Sequence, residues 1–235
     1  METHITTKGS RVIRILSGRS NSYIVKSGLV NLLVDTGDKS SYNKLIKGLT
    51  SLNCFTLDYI VLTHSHFDHC ANTALLAHKY GCKIILSKNE TLMASEGITP
   101  IPKGTLLATK ILSALGRKFE SSFASYTPFT PDIEVGECFD LSIHGVNIKI
   151  IHTPGHSAGS ISVLVDKEIA IVGDTLFGVF PGSVFPPFAD NVQQLYKSWQ
   201  NLLESGCSIF LPGHGKKISR QLLNSQIKKQ SYVKR

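Results

Sequence analysis

The run LTHSHFDHC, from Leu62 to Cys70, places His64, His66, Asp68 and His69 within six positions, directly after an apolar stretch. Neutral imidazole and carboxylate are natural ligands for Zn2+, and equally for Fe or Mn. A His-x-His pair on a short loop after a strand directs alternate side chains the same way, so both can reach one ion. Asp68 and His69 fall on another side and can reach a second. Other apolar runs end alike: LLVD in Asp35, IKIIHTPGH in His156, IAIVGD in Asp174 and IFLPGH in His214. His64, His66, His156, Asp68, His69, Asp174 and His214 make seven candidate ligands. Seven is too many for one tetrahedral ion and fits two ions sharing one carboxylate. Burying such a cluster without metal would leave polar groups unpaired. Five of the nine histidines sit in these turns; the others, His4, His78, His144 and His152, read as structural or surface residues.

Ligands at strand ends need a scaffold that gathers those ends at one edge. Val- and Ile-rich runs bounded by Gly, Asp, Asn or Pro predict strands over 11–16, 22–27, 29–35, 57–63, 82–87, 146–152, 160–166, 169–174 and 208–213. Helical periodicity covers 40–52, 71–80 and 191–206, the last with Asn191 or Asp190 as its cap. This mixture predicts an α/β fold, sheet covered by helices. Two segments stand apart. Residues 88–132 interrupt the strand pattern as a helical insertion. Within it 104–119 reads as an amphipathic helix through Leu107, Ile111, Leu115 and Phe119, to cap the site, make a dimer contact or serve as an ordinary buried helix. Residues 177–190 hold four Phe and three Pro, which excludes a regular element. Phe177, Phe180, Phe185 and Phe188 are the candidate apolar wall of a substrate pocket.

At 235 residues and 42% hydrophobic composition, the chain can build one sizeable core, so a single domain over 1–235 is expected. No apolar run approaches a membrane span, and no secretory signal is expected at the N-terminus. Five scattered cysteines without a C-x-x-C pair fit a reducing, cytoplasmic setting. The net charge is +8, but seven Lys or Arg and no acid lie in 216–235. The rest stands near neutrality, so this reads as a solvated basic C-terminal helix and tail, not a nucleic-acid surface.

THSHFDH, TPGHSAGS, GDTLF and PGHG, in this order and spacing, resemble the metallo-β-lactamase-fold superfamily over roughly residues 10–220. The resemblance implies a four-layer αββα sandwich with a dinuclear site at one edge. It implies His64, His66 and His156 on the first metal, Asp68, His69 and His214 on the second, and Asp174 bridging them. Asp35 would steady a ligand imidazole without touching metal. The sequence also departs from particular members. True β-lactamases of this fold carry Cys or Ser where Asp174 stands, so antibiotic hydrolysis is not expected. Glyoxalase-II-type thioesterases carry a third His where Ser65 stands, and quorum-quenching lactonases a Tyr where Phe177 is the nearest aromatic. Cys70 reads as a small buried residue beside His69.

A hydroxide bridging two metals is a nucleophile available at neutral pH. The expected activity is metal-dependent hydrolysis of a small carbonyl substrate, an ester, thioester or lactone, with Asp68 passing a proton to the leaving group. The expected cofactors are two divalent ions, zinc first, with iron or manganese as alternatives. Other activities on the same fold stay open: an iron persulfide dioxygenase using His64, His156 and Asp174, and a phosphodiesterase or nuclease.

Overall fold

The computed structural model describes residues 1–99, 101–116, 124–142 and 145–233. The first sheet has seven strands in chain order: β1 (Glu2–Ile5), β2 (Arg11–Leu16), β3 (Ser22–Ser27), β4 (Val30–Val34), β5 (Tyr59–Val61), β6 (Lys83–Ser87) and β7 (Ile133–Val135). The second is built from β8 (Cys138–Asp140), β9 (Ile148–His152), β10 (Ile161–Val165), β11 (Ile169–Gly173), β12 (Ile209–Pro212) and β13 (Ile218–Ser219), with β13 and β8 at its edges.

Period-two alternation sends each strand's side chains to two different cores. Val12, Tyr23, Val25, Leu32, Val34 and Val61 meet Ile148, Ile150, Ile161, Val163, Ile169 and Ile171 between the sheets. Ile13, Ile24, Leu33 and Ile60 face the other way, onto α1 (Tyr42–Ser51) and α3 (Thr73–Tyr80). Leu164, Ala170, Val172 and Phe210 pack against α6 (Val192–Glu204) and α7 (Arg220–Val233). Strands apolar on both faces are the signature of sheets covered on both sides. The layers are therefore helix, sheet, sheet, helix, as expected.

Strand direction gathers the chemistry. β4, β5 and β6 run parallel, so Asp35 and the loop after Val61 leave the first sheet at one edge. In the second sheet β9 and β11 are both antiparallel to β10, and β12 is parallel to β11. The loops carrying His156, Asp174 and His214 thus leave that sheet together. Backbone bonds close the two edges on each other, from Ile161 N to Thr63 O at 2.8 Å and from Asn21 N to Gly213 O at 2.7 Å.

Short helices α2 (Phe67–Cys70) and α4 (Thr91–Glu96) complete the set with α5 (Leu107–Gly116). The expected 104–119 helix is thus shorter at its start; Phe119 lies outside the described residues, as does His144. Leu107, Ile111 and Leu112 are more than half exposed, so α5 is not an ordinary buried helix. The basic C-terminal helix buries Leu223 against Trp199 and Phe210 and partly covers Leu222 and Ile227, so one face is anchored. Asn191 caps α6, its side chain accepting from Gln194 N. Among the described residues no helix is long and apolar enough to cross a membrane.

Candidate metal centre

The structure brings all seven candidate ligands to the shared edge. Their donor atoms form overlapping groups, each within 4.8 Å: His64, His66 and His156; His64, His69 and Asp174; Asp68, His69 and His214. Asp174 lies between the sets. Its Oδ2 is 3.3 Å from His214 Nε2 and 3.8 Å from His156 Nε2, and its Oδ1 is 3.5 Å from His69 Nε2. Asp68 Oδ2 lies 3.4 Å from His214 Nε2 and 3.8 Å from His69 Nε2. Nitrogens of neighbouring rings face each other at 3.0 Å, His156 Nε2 to His66 Nδ1, and at 3.2 Å, His69 Nε2 to His214 Nε2.

Hydrogen bonds behind the rings settle which nitrogens face inward. Asp35 is buried, with a positive φ of 59°, a region that Asp tolerates better than most residues. Its Oδ1 accepts Thr63 N at 2.8 Å, and its Oδ2 accepts Thr63 Oγ1 at 2.9 Å and His69 Nδ1 at 2.9 Å. Because Thr63 gives its one hydroxyl proton to Asp35, its oxygen accepts from His64 Nδ1, 3.0 Å away. His156 Nδ1 donates to the Phe188 carbonyl at 2.9 Å. The Nε2 atoms of His64, His69 and His156 are thereby aimed into the cluster, an orientation control common behind metal-binding histidines. Gly213 permits this closeness. A Cβ there would lie 2.5 Å from Asp174 Oδ1 and 2.6 Å from His69 Cε1.

The electrostatics have two halves. Burial, reinforced by neighbouring imidazoles, holds His64 and His66 well below the usual histidine pKa. Burial also opposes charge on His69, but Asp174, Asp68 and Asp35 outweigh it and lift the imidazole to about 10. His214 is raised too: burial opposes its charge and Asp174 overcomes it. Burial would raise the Asp174 carboxyl, yet His214, His69 and His156 hold it well below the ordinary carboxylate range.

A cation set would fit these residues. Two buried acceptors, His64 Nε2 and Asp174 Oδ1, take no hydrogen bond from the described residues. Unpaired buried acceptors are costly, and a divalent ion satisfies them. The donors are imidazole and carboxylate alone. Cys70 is buried with its Sγ turned to the Ser65 carbonyl at 3.3 Å, consistent with packing and not with ligation.

A cavity of about 410 Å³ opens over the cluster, with His66, Asp68, His156, Asp174 and His214 in its lining. Phe177, Phe188, Phe67, Ile101, Pro102 and Leu112 supply apolar walls, and Arg19 is the one Lys or Arg among the lining residues. The two irregular segments build it jointly. Thr105 N and Thr109 Oγ1 donate to the Pro187 carbonyl at 2.9 and 2.8 Å, and Ala189 N to the Lys103 carbonyl at 2.9 Å. Two of the four expected wall residues must be corrected. Phe185 turns into the core against Trp199 and Tyr196, with an edge contact at 5.9 Å to the first and a tilted one at 6.0 Å to the second. Phe180 is 45% exposed and packs on Phe177, 5.8 Å between ring centres, without reaching the cavity lining.

Sequence reasoning missed Thr63, Arg19 and Glu90. Thr63 precedes the first candidate ligand and relays Asp35 to His64. Arg19 sits in a turn after β2, its guanidinium 4.9 Å above the Phe67 ring. Glu90 is wholly buried and accepts hydrogen bonds from Ser65 and Ser157, each adjacent in sequence to a candidate ligand. The signal for Glu90 was faint: a lone acid after a strand, far from every motif.

Residues 17–214 match the Metallo-beta-lactamase superfamily profile. Among curated proteins, the chain is 30% identical over 201 residues to a probable metallo-hydrolase, MJ0888, of Methanocaldococcus jannaschii, covering 83% of this chain and 87% of that protein. It is 25% identical over 235 residues to the atrochrysone carboxyl ACP thioesterase of Aspergillus fumigatus, covering 96% of this chain but 61% of that longer protein. Among solved structures, TTHA1623 in a di-iron-bound form is 25% identical with a TM-score of 0.64, covering 90% of this chain and 96% of that one. Layer order, strand-end cluster and profile agree, and the chain belongs to the metallo-beta-lactamase superfamily.

Proposed function

We propose that this protein is a metal-dependent hydrolase of small carbonyl substrates, esters, thioesters or lactones, working with two divalent ions. The observation that carries the reading is the seven-residue cluster, with Asp174 between its two halves, at the floor of an apolar cavity. His64, His66 and His156 would hold one ion, Asp68, His69 and His214 the other, and Asp174 both. Ions bound there supply Lewis acidity toward a carbonyl oxygen and lower the pKa of water from 15.7 toward about 7.

The chain's own residues do the rest. The hydrogen bonds from His69 to Asp35 and from His156 to the Phe188 carbonyl keep those rings oriented through a catalytic cycle. Phe177 and Phe188 exclude water and take up an apolar acyl group. Asp68 lines the cavity beside His214, placed to carry a proton to the leaving group. Arg19 stacks on Phe67 at the same cavity and suits an anionic group on the substrate. A small molecule fits this site better than a nucleic acid, which needs a run of cations, whereas Arg19 is the single Lys or Arg among the described lining residues.

The relatives' names lend support at the level of class: one is called a probable metallo-hydrolase, another a thioesterase. Zinc is the first candidate on ligand chemistry. The di-iron-bound relative supports iron as the alternative in the same positions. The test is turnover by zinc-loaded and iron-loaded protein on a panel of thioesters, esters, lactones and phosphodiesters. Hydrolysis of a carbonyl member, abolished by chelator and restored by metal, is the expected result. Cleavage of phosphodiesters alone would overturn the carbonyl assignment.

A further inference from the structure

Glu90 stands just before α4, at the root of the helical insertion, and its side chain is fully buried. Each carboxylate oxygen serves a different loop. Oε2 accepts the backbone N–H of Ser65 at 3.1 Å and also the Ser65 hydroxyl. Oε1 accepts the Ser157 hydroxyl at 2.6 Å and the Gly159 N–H at 3.1 Å. Ser65 lies between His64 and His66, on the loop that leaves the first sheet after β5. Ser157 follows His156, on the loop that leaves the second sheet after β9. One side chain therefore ties together two loops from opposite sheets, and those loops carry one of the two halves of the cluster.

The surroundings are shaped for this tie. A Cβ at Gly159 would lie 2.3 Å from Glu90 Cγ and 2.9 Å from Oε1, so glycine is needed for the loop to come this close. Ser160 Oγ accepts Ser157 N at 3.1 Å and holds the receiving loop in shape. Thr99, further along the insertion, donates to the Ser65 carbonyl at 3.2 Å. Four donors satisfy the buried carboxylate, while no ion pair with Lys or Arg is formed by Glu90 among the described residues. None of its hydrogen bonds goes to Asp68, His69 or His214: Asp68 and His69 follow on α2, and His214 stands on the loop after β12.

We propose that Glu90 is a positioning residue that sets the spacing of His64 and His66 against His156, and so tunes the affinity of that one half of the centre for its ion. The inference rests on the two-ion reading above. It also gives the insertion a role beyond walling the cavity, because its first residues brace the metal-binding loops. Linkage makes the effect reciprocal: an ion drawn to this half stabilises the clamped arrangement of the loops, and the clamp strengthens the ion's binding.

The test uses the full chain, stripped of metal and titrated with zinc against a chromophoric chelator. The native protein should bind two ions; fewer would refute the two-ion reading before any variant is made. Glu90→Gln keeps the volume, but its amide nitrogen must face donors on one of the loops. One of the two affinities should fall about 10- to 100-fold, the usual effect of losing a partner behind a metal ligand, while the other is unchanged. Ser157→Ala removes one of the four donors to the carboxylate, together with the Ser157–Ser160 hydroxyl contact at 2.8 Å, and leaves Glu90 itself in place, so the same site should weaken by less. A purely structural role would lower the melting temperature of the metal-free protein and leave both affinities alone, which would overturn the proposal. Equal weakening of both sites would overturn it as well. If Glu90→Gln does not fold, Ser157→Ala decides, and unchanged affinities there refute the clamp.

Discussion

Replacing Asp35 by Asn probes how far the hydrogen bonds behind the ligands control the centre. The substitution keeps size and suits the positive φ of 59°, since Asn adopts the left-handed region as readily as Asp. What changes is a single acceptor. Asp35 accepts from Thr63 N, Thr63 Oγ1 and His69 Nδ1 at 2.8, 2.9 and 2.9 Å. An Asn offers one acceptor oxygen and one donor nitrogen. With the amide nitrogen toward His69, it donates to Nδ1, and the imidazole proton moves to Nε2, the atom aimed at the metal. With the amide turned over, its N–H2 opposes the Thr63 N–H and pushes the strand end that carries His64. Either way one ligand is misplaced or wrongly protonated. Losing such a partner costs about 10- to 100-fold in metal affinity, or about 1.4–2.7 kcal/mol. Chelator competition on the metal-free protein measures this directly, with circular dichroism to confirm that the fold survives. A variant that folds and binds zinc as tightly as the native protein would refute the tautomer argument.

Three further outcomes follow from the same geometry. Asp174→Ala removes the carboxylate between the two halves of the cluster and should abolish turnover while the fold is retained; activity within tenfold of native, at matched metal loading, would contradict its bridging role. In the metal-free protein His69, with its pKa near 10, is protonated at neutral pH, and Asp174 draws His214 toward its charged form, whereas a ligating nitrogen must be bare. Metal uptake near pH 7 should therefore release protons and weaken as pH falls, seen as a calorimetric heat that scales with the ionisation enthalpy of the buffer. Arg19→Ala should raise KM for a substrate bearing a carboxylate or phosphate about tenfold, roughly one charge-assisted hydrogen bond, with kcat little changed and neutral substrates unaffected.

The His and Asp cluster was legible in the sequence because short, dense patterns encode it. His64, His66, Asp68 and His69 sit on one turn, and the remaining candidate ligands each end an apolar run. The strands were legible for a related reason: β2 and β3 match their predicted bounds, since uninterrupted Val, Ile and Leu are what a doubly covered sheet demands. Short edge strands such as β1 and β8 were not foreseen, because pairing with a neighbour creates them and local preference does not. The Phe-rich loop shows a second limit. Nothing in FGVFPGSVFPPF distinguishes Phe185 from Phe188. The path of the loop separates them, and that path is set by Trp199 on one side and by Thr105 and Thr109 on the other. Glu90 escaped notice for the same reason: its partners, Ser65 and Ser157, are 25 and 67 positions away.

The central claim is that this chain holds two metal ions on residues sharing Asp174. Metal content per chain, measured by mass spectrometry on protein purified without added metal or chelator, tests it most directly. The account predicts two equivalents, of zinc or of iron, falling in the Asp174→Ala variant. One equivalent or none in the native protein, unchanged on adding metal, would contradict it.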